Sequence, residues 1–213
     1  MIHEEDEWCT IIPDNLTLFK CEFGKTAVDY LWELIEEAQE NPEDYKPGLA
    51  GNISESLILK DHDDYFFNNH LRQAAILFAK NNPNICAPFA ENHTEHLRLQ
   101  SLWVNLQLKH DFNPAHHHNG VMSFVIWMKI PTRHEEQYSL PISANSNNPC
   151  ASDFEFLYSN ILGHISRMDI KMDPEMEGTM FMFPSALMHQ VYPFFNSDET
   201  RVSISGNIGL NQQ

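Results

Sequence analysis

The spacing of apolar residues changes period part-way along the chain. Over Lys25–Glu40 (KTAVDYLWELIEEAQE), Val28, Leu31, Trp32, Ile35 and Ala38 recur at helical spacing with acids opposite. This predicts an amphipathic helix, closed by Asn41-Pro42. A second helix is predicted over Asp64–Lys80, where Phe67, Leu71, Ala74, Ala75 and Phe78 form the stripe and Asn81-Asn82-Pro83 ends it. Between them Lys46–Lys60 (KPGLAGNISESLILK) reads as a glycine-bearing loop running into a short strand; its first part, Lys46–Ser54, is an ordinary connector or a lid. From about residue 95 the period shortens to two. Leu97–His110 alternates, with Leu102, Val104, Leu106 and Leu108 on one face. Further strands are predicted at Ser123–Ile130, Phe154–Tyr158, Ile165–Met172, Gly178–Phe183, His189–Tyr192 and Arg201–Asn207. Short strands with Pro and Asn turns between them predict a sandwich or barrel, with the preceding helices packed on one outer face.

Length and composition narrow the class. A chain of 213 residues suits one domain, with 1–95 as a helical support region and 96–213 as the strand core. An apolar fraction of 42% is enough for a real core and excludes wholesale disorder. Thirteen Lys and Arg against 30 Asp and Glu give a formal charge of −17, which repels phosphate backbones and anionic lipid. Neither duplex nucleic acid nor a membrane surface is therefore an expected partner. No apolar run approaches the ~18 residues of a membrane span, and the acidic start MIHEEDEWCT holds no signal core. Cys9, Cys21, Cys86 and Cys150 form no CxxC pair and read as reduced thiols. Both observations fit a cytoplasmic protein.

Three features could carry chemistry. Asn113–Gly120 (NPAHHHNG) holds three adjacent histidines. In an extended segment His116 and His118 face one point and His117 turns away, which is a metal-ligand arrangement; the bland alternative is a solvated turn. His189 opens a strand after Pro184-Ser185, where a satisfied structural histidine is the alternative. Arg201, Ser203, Ser205 and Asn207 project to one face of the last strand. Turned inward, that face needs a partner such as a dicarboxylate; turned outward, it meets water. Trp103, Trp127, Met180, Phe181, Met182 and Phe183 line such a cavity or pack the core, and the parity of Asn105 and Asn207 allows both to point in. His93 and His96 (ENHTEH) have ligand-like spacing only on a helix, and nearby Pro88 favours a loop.

Together these features resemble the Fe(II)- and 2-oxoglutarate-dependent oxygenases of the double-stranded β-helix (jelly-roll, cupin-like) fold. The phrases LWVN (Leu102–Asn105), FNPAHHH (Phe112–His118), SFVIW (Ser123–Trp127), FPSALMHQVYPF (Phe183–Phe194) and RVSISGNI (Arg201–Ile208) are similar to a branch encoded by tailed phages of cyanobacteria. IPDN (Ile12–Asn15) and LAGNIS (Leu49–Ser54) extend the likeness toward the start of the chain. The resemblance implies a mainly β, α+β protein with helices outside the β-helix core, in the host cytoplasm if phage-encoded. It implies a catalytic metal held by His116, His118 and His189. It also implies 2-oxoglutarate anchored by Arg201 and Ser203, with Asn105 and Asn207 beside it, and dioxygen as co-reactant. Such an enzyme hydroxylates or demethylates a substrate that the sequence does not identify, and forms succinate and CO2.

One departure stands out. His118 occupies the position where most of the superfamily has Asp or Glu, and no acid lies two residues after any of the clustered histidines. Asp111 is the nearest substitute ligand. Two other readings remain open at this level. One is a three-histidine cupin-like metalloenzyme that does not use 2-oxoglutarate. The other is a non-enzymatic β-sandwich binding or virion-associated protein.

Overall fold

The computed structural model describes residues 15–45, 49–82 and 94–210. The two periodic segments form helices α1 (Lys25–Glu40) and α2 (Arg72–Asn81), and a short α3 spans His134–Ser139. Ten strands follow the chain: β1 (Phe19–Glu22), β2 (Glu55–Ile58), β3 (Leu97–Gln107), β4 (Asn113–His116), β5 (Met122–Lys129), β6 (Phe154–Ser159), β7 (Ile165–Ile170), β8 (Thr179–Pro184), β9 (Met188–Val191) and β10 (Arg201–Leu210). They build a six-stranded sheet in the order β1-β8-β5-β10-β3-β2 and a four-stranded sheet in the order β4-β9-β6-β7, antiparallel throughout. This is the mainly β double-stranded β-helix core.

Strand alternation divides the large sheet into two faces. Leu102, Val104, Leu106, Phe124, Ile126, Met180, Met182, Ile204 and Ile208 face outward and are covered by Leu31, Ile35, Leu71 and Phe78 of the helical layer. Val125, Trp127, Phe181 and Phe183 face inward, against Phe154 and Phe156 of the small sheet. Met180 and Met182 therefore pack beneath the helices, whereas Phe181 and Phe183 belong to the inner core.

The segment before residue 96 does more than support the core from outside. It also supplies both edge strands of the large sheet, β1 against β8 and β2 against β3. The second helical segment is broken as well: a 3₁₀ turn at His62–Asp64 and a π turn at Phe67–Leu71 precede α2. Asp61 fixes that entry by accepting the N–H groups of Phe66 and Phe67 at 2.7 and 2.9 Å. No helix among the described residues is long and apolar enough to cross a membrane.

Candidate metal centre

The four-stranded sheet brings two histidines together on its outermost strand pair, β4 and β9. His116 at the end of β4 stands directly opposite His189 on β9. His118 lies two residues beyond β4, and its backbone N–H donates to Ser185 O at 2.8 Å, tying the histidine segment to the turn before β9. Gly120, at φ +119°, then lets the chain turn into β5, a backbone state open to few other residues. The ring centroids of the three histidines lie 4.3 to 5.0 Å apart, and one ring nitrogen from each falls within 4.8 Å of the others. His117 is exposed and points elsewhere.

Two of the ring orientations are fixed by backbone carbonyls. His116 Nδ1 lies 2.7 Å from Pro114 O, and His189 Nδ1 lies 2.9 Å from Leu187 O. A carbonyl can only accept, so each Nδ1 carries the proton and each Nε2 keeps its lone pair. Burial pushes all three imidazoles below their ordinary range, His118 to about 4 and His189 to about 3. At neutral pH three uncharged lone pairs therefore share one small space, a donor set suited to a metal cation. Among the described residues, this is the one cluster with that geometry.

No carboxylate joins it. Asp111 Oδ2 instead accepts the N–H groups of Ser54 and Leu108 at 2.7 and 3.0 Å. His96 pairs with Glu95 on a surface turn, and His93 lies outside the described residues. The described part of the loop proposed as a lid is pinned: Asn52 and Phe112 exchange both backbone hydrogen bonds, at 2.9 and 3.2 Å. Residues 46–48 lie outside the described residues.

The histidines open into a narrow cavity floored by the inner face of the large sheet. Cross-strand pairing arranges that floor in rows. Trp127, Ser203 and Asn105 stand side by side on β5, β10 and β3, and Ser205 beside Trp103 forms the next row. All five residues line the cavity, as do Gln107 and Phe183. Asn105 accepts the Ser56 hydroxyl at 2.8 Å. Asn207 shares the parity of Ser203 but lies two rows further on, where it donates to Ser101 Oγ and accepts from Ser123 Oγ; it does not line the cavity. Parity decides which face a residue takes, and depth along the strand decides whether it reaches the space.

Arg201 does not line the cavity; it is buried beyond it, 1% exposed, against the lining residues Gln107 and Trp127. Its Nε donates to Gln107 Oε1 at 3.1 Å, its Nη1 to Ser152 O and Oγ at 2.7 and 3.2 Å, and its Nη2 to Tyr192 O at 2.8 Å. The guanidinium also lies 5.1 and 5.9 Å from the ring centroids of Phe194 and Trp127. Among the described residues no carboxylate forms an ion pair with it. Burial pushes it down to about 9, with Asp153 pulling the other way, so it remains a cation at neutral pH. Gln107, Ser152 and Tyr192 were not singled out from sequence. Gln107 shares the parity of Asn105 and was open to discovery. Ser152, in a left-handed conformation (φ 75°), and Tyr192, acting through its carbonyl, leave no sequence signal.

Residues 101–207 match the family model described as "Putative 2OG-Fe(II) oxygenase". The chain belongs to that family. No curated protein sequence matches it. Solved structures similar to this 2OG-Fe(II) oxygenase include a Pseudomonas putida prolyl-4-hydroxylase, at 13% identity and TM-score 0.50, covering 92% of this chain and 94% of that one. The viral collagen prolyl hydroxylase of Paramecium bursaria Chlorella virus-1, in a 2-oxoglutarate complex, aligns at 9% identity and TM-score 0.51 over 90% and 94%. HygX from Streptomyces hygroscopicus, with nickel and 2-oxoglutarate bound, aligns at 11% identity and TM-score 0.50 over 92% and 84%. At these identities the likeness concerns the fold.

Proposed function

We propose that this 2OG-Fe(II) oxygenase hydroxylates or demethylates its substrate at an Fe(II) held by His116, His118 and His189, converting 2-oxoglutarate to succinate and CO2. The carrying observation is the convergence of three neutral imidazoles whose free nitrogens lie within 4.8 Å of one another. Two similar folds support the reading through their own ligands, 2-oxoglutarate in the viral hydroxylase and nickel with 2-oxoglutarate in HygX.

The donor set fits the metal. Imidazole suits iron, and the Pro114 and Leu187 carbonyls hold two of the rings in the ligating tautomer. When bound, iron supplies the redox chemistry that couples dioxygen and decarboxylation of the 2-oxo acid to oxidation of a C–H bond. The protein's own groups do the rest. Three uncharged ligands leave the ion's full positive charge in place, so a dianionic co-substrate is favoured electrostatically. Ser203 offers a hydroxyl from the cavity floor, and the buried Arg201 cation behind it makes that end of the cavity attractive to a carboxylate. Phe154, Phe183 and Val191 line the same space and limit access of bulk water.

The test is proton NMR of 2-oxoglutarate incubated aerobically with Fe(II), ascorbate and the protein. Succinate is expected to accumulate slowly even without a primary substrate. Absence of succinate, together with no 2-oxoglutarate-dependent rise in melting temperature, would contradict the proposal.

A further inference from the structure

Among the described residues, two tryptophans of the cavity wall have indole N–H groups with no acceptor. Trp103 is 2% and Trp127 1% exposed, both line the cavity, and among the described residues neither Nε1 has a hydrogen-bond partner. Indole nitrogen is a donor only, and buried indoles ordinarily find a partner. An orphaned buried donor carries a desolvation cost that a ligand acceptor removes. Two such groups lining one cavity therefore point to a ligand rich in acceptor oxygens.

Their positions differ. Trp103 sits at the histidine end, with its ring 5.6 Å from that of His118 and stacked on Tyr45 at 4.6 Å. Trp127 sits at the other end, paired across the strands with Ser203 and with its ring centroid 5.9 Å from the Arg201 guanidinium carbon. The guanidinium itself is poorly placed to grip a carboxylate with both arms. Its contacts to Gln107, Ser152 and Tyr192 occupy four of the five N–H donors that an arginine carries. A carboxylate at this end needs donors from elsewhere, and Ser203 and Trp127, paired across the strands, are the neighbouring donor-bearing residues of the cavity floor.

Resting on the co-substrate reading above, we infer that Trp127 Nε1–H is a direct hydrogen-bond donor to the remote carboxylate of the bound 2-oxo acid, beside Ser203 and in front of Arg201. Arg201 then acts chiefly as a fixed positive charge, and the directional contacts come from an indole and a hydroxyl. The site is thereby specific for a 2-oxo acid with a second carboxylate.

The test compares 2-oxoglutarate with 2-oxopentanoate, which has the same chain length and lacks the remote carboxylate. Binding is read without turnover, as the shift in melting temperature and the titration of the metal–chelate absorption in the anaerobic, metal-loaded full chain. Trp127→Phe keeps the ring and removes the N–H. It is expected to weaken 2-oxoglutarate about tenfold and to leave 2-oxopentanoate nearly unchanged. Trp103→Phe, at the metal end, is expected to leave the ratio between the two acids unchanged. An unchanged ratio in Trp127→Phe, or an equal fall in both variants, would overturn the assignment. A second measurement uses the unaltered chain loaded with diamagnetic Zn(II). The Trp127 indole N–H resonance is expected to move downfield with 2-oxoglutarate and to stay in place with 2-oxopentanoate. An unmoved resonance at saturating 2-oxoglutarate would equally overturn it. If neither acid binds the unaltered, metal-loaded protein, the co-substrate reading itself fails, a result separate from any behaviour of Trp127.

Discussion

His116 and His189 face each other across the β4–β9 pair, their ring centroids 4.3 Å apart, although 73 residues separate them in the chain (189 − 116). That pairing brings the histidine segment and the strand after Ser185 to one point. A cation that binds the folded state there stabilises it by mass action, about 2.7 kcal/mol at a hundredfold excess over Kd. For a chain of this length, the expected rise in melting temperature with Ni(II) or anaerobic Fe(II) is roughly 5–10 °C. His189→Ala is expected to lose that rise, and calorimetry with and without metal checks it.

Arg201 is a structural cation, whatever it does toward a ligand. Arg201→Ala removes the donors to Ser152 O, Tyr192 O and Gln107 Oε1 in a buried setting. Each abandoned acceptor costs on the order of 1–3 kcal/mol. The expected loss is about 3 kcal/mol, or roughly 6–12 °C in melting temperature, even without any ligand. Thermal denaturation of the metal-free variant measures it. A variant as stable as the unaltered chain would contradict the role of Arg201 in bracing the loop at Ser152.

Ser203 separates anchoring from bracing. Its side chain lines the cavity and, unlike Arg201, holds no loop in place. Ser203→Ala is expected to weaken 2-oxoglutarate roughly fivefold to tenfold while leaving the metal-induced stabilisation intact. Equilibrium titration at fixed saturating metal resolves the two effects.

Asp153 adds a dependence on pH. Its carboxyl is buried and accepts the Tyr138 hydroxyl, and burial raises it from the ordinary 3.8 to about 6. The folded state holds this proton more tightly than the unfolded chain. The contribution of Asp153 to stability is therefore complete below pH 3.8 and is lost as pH rises through about 6. Asp153→Asn cannot ionise. The melting temperature of the variant relative to the unaltered chain is expected to be more favourable at pH 8 than at pH 4.5, by a few degrees. Paired melting curves at the two values decide it.

The parts of this site that were legible in the sequence are those governed by short-range geometry. Alternation placed His116 and His118 on one side and His117 on the other, and put Ser203 and Ile204 on opposite faces; which of those faces turns inward is decided only by the packing of the two sheets and the helices. α1 was legible for the same reason, and α2 in part: its apolar stripe showed, but the π turn before Arg72 did not. β1 and β4 were not: each has four residues, β4 contains Pro114, and each exists because a distant strand supplies its partner. The helix His134–Ser139 is six residues long and too short to show a stripe. The surroundings of Arg201 were hidden because backbone carbonyls at Ser152 and Tyr192 do the holding, and any residue type carries a carbonyl. Asn207 was assigned to the correct face but to the wrong depth.

The most direct test of the central claim is an anaerobic titration of the protein with Fe(II) and then 2-oxoglutarate, followed in the visible range. The account predicts a weak charge-transfer band that appears only with both present, saturates at one equivalent of metal, and is abolished by His189→Ala. A full band in His189→Ala, or no band in the unaltered chain, would contradict a metal centre built on His116, His118 and His189.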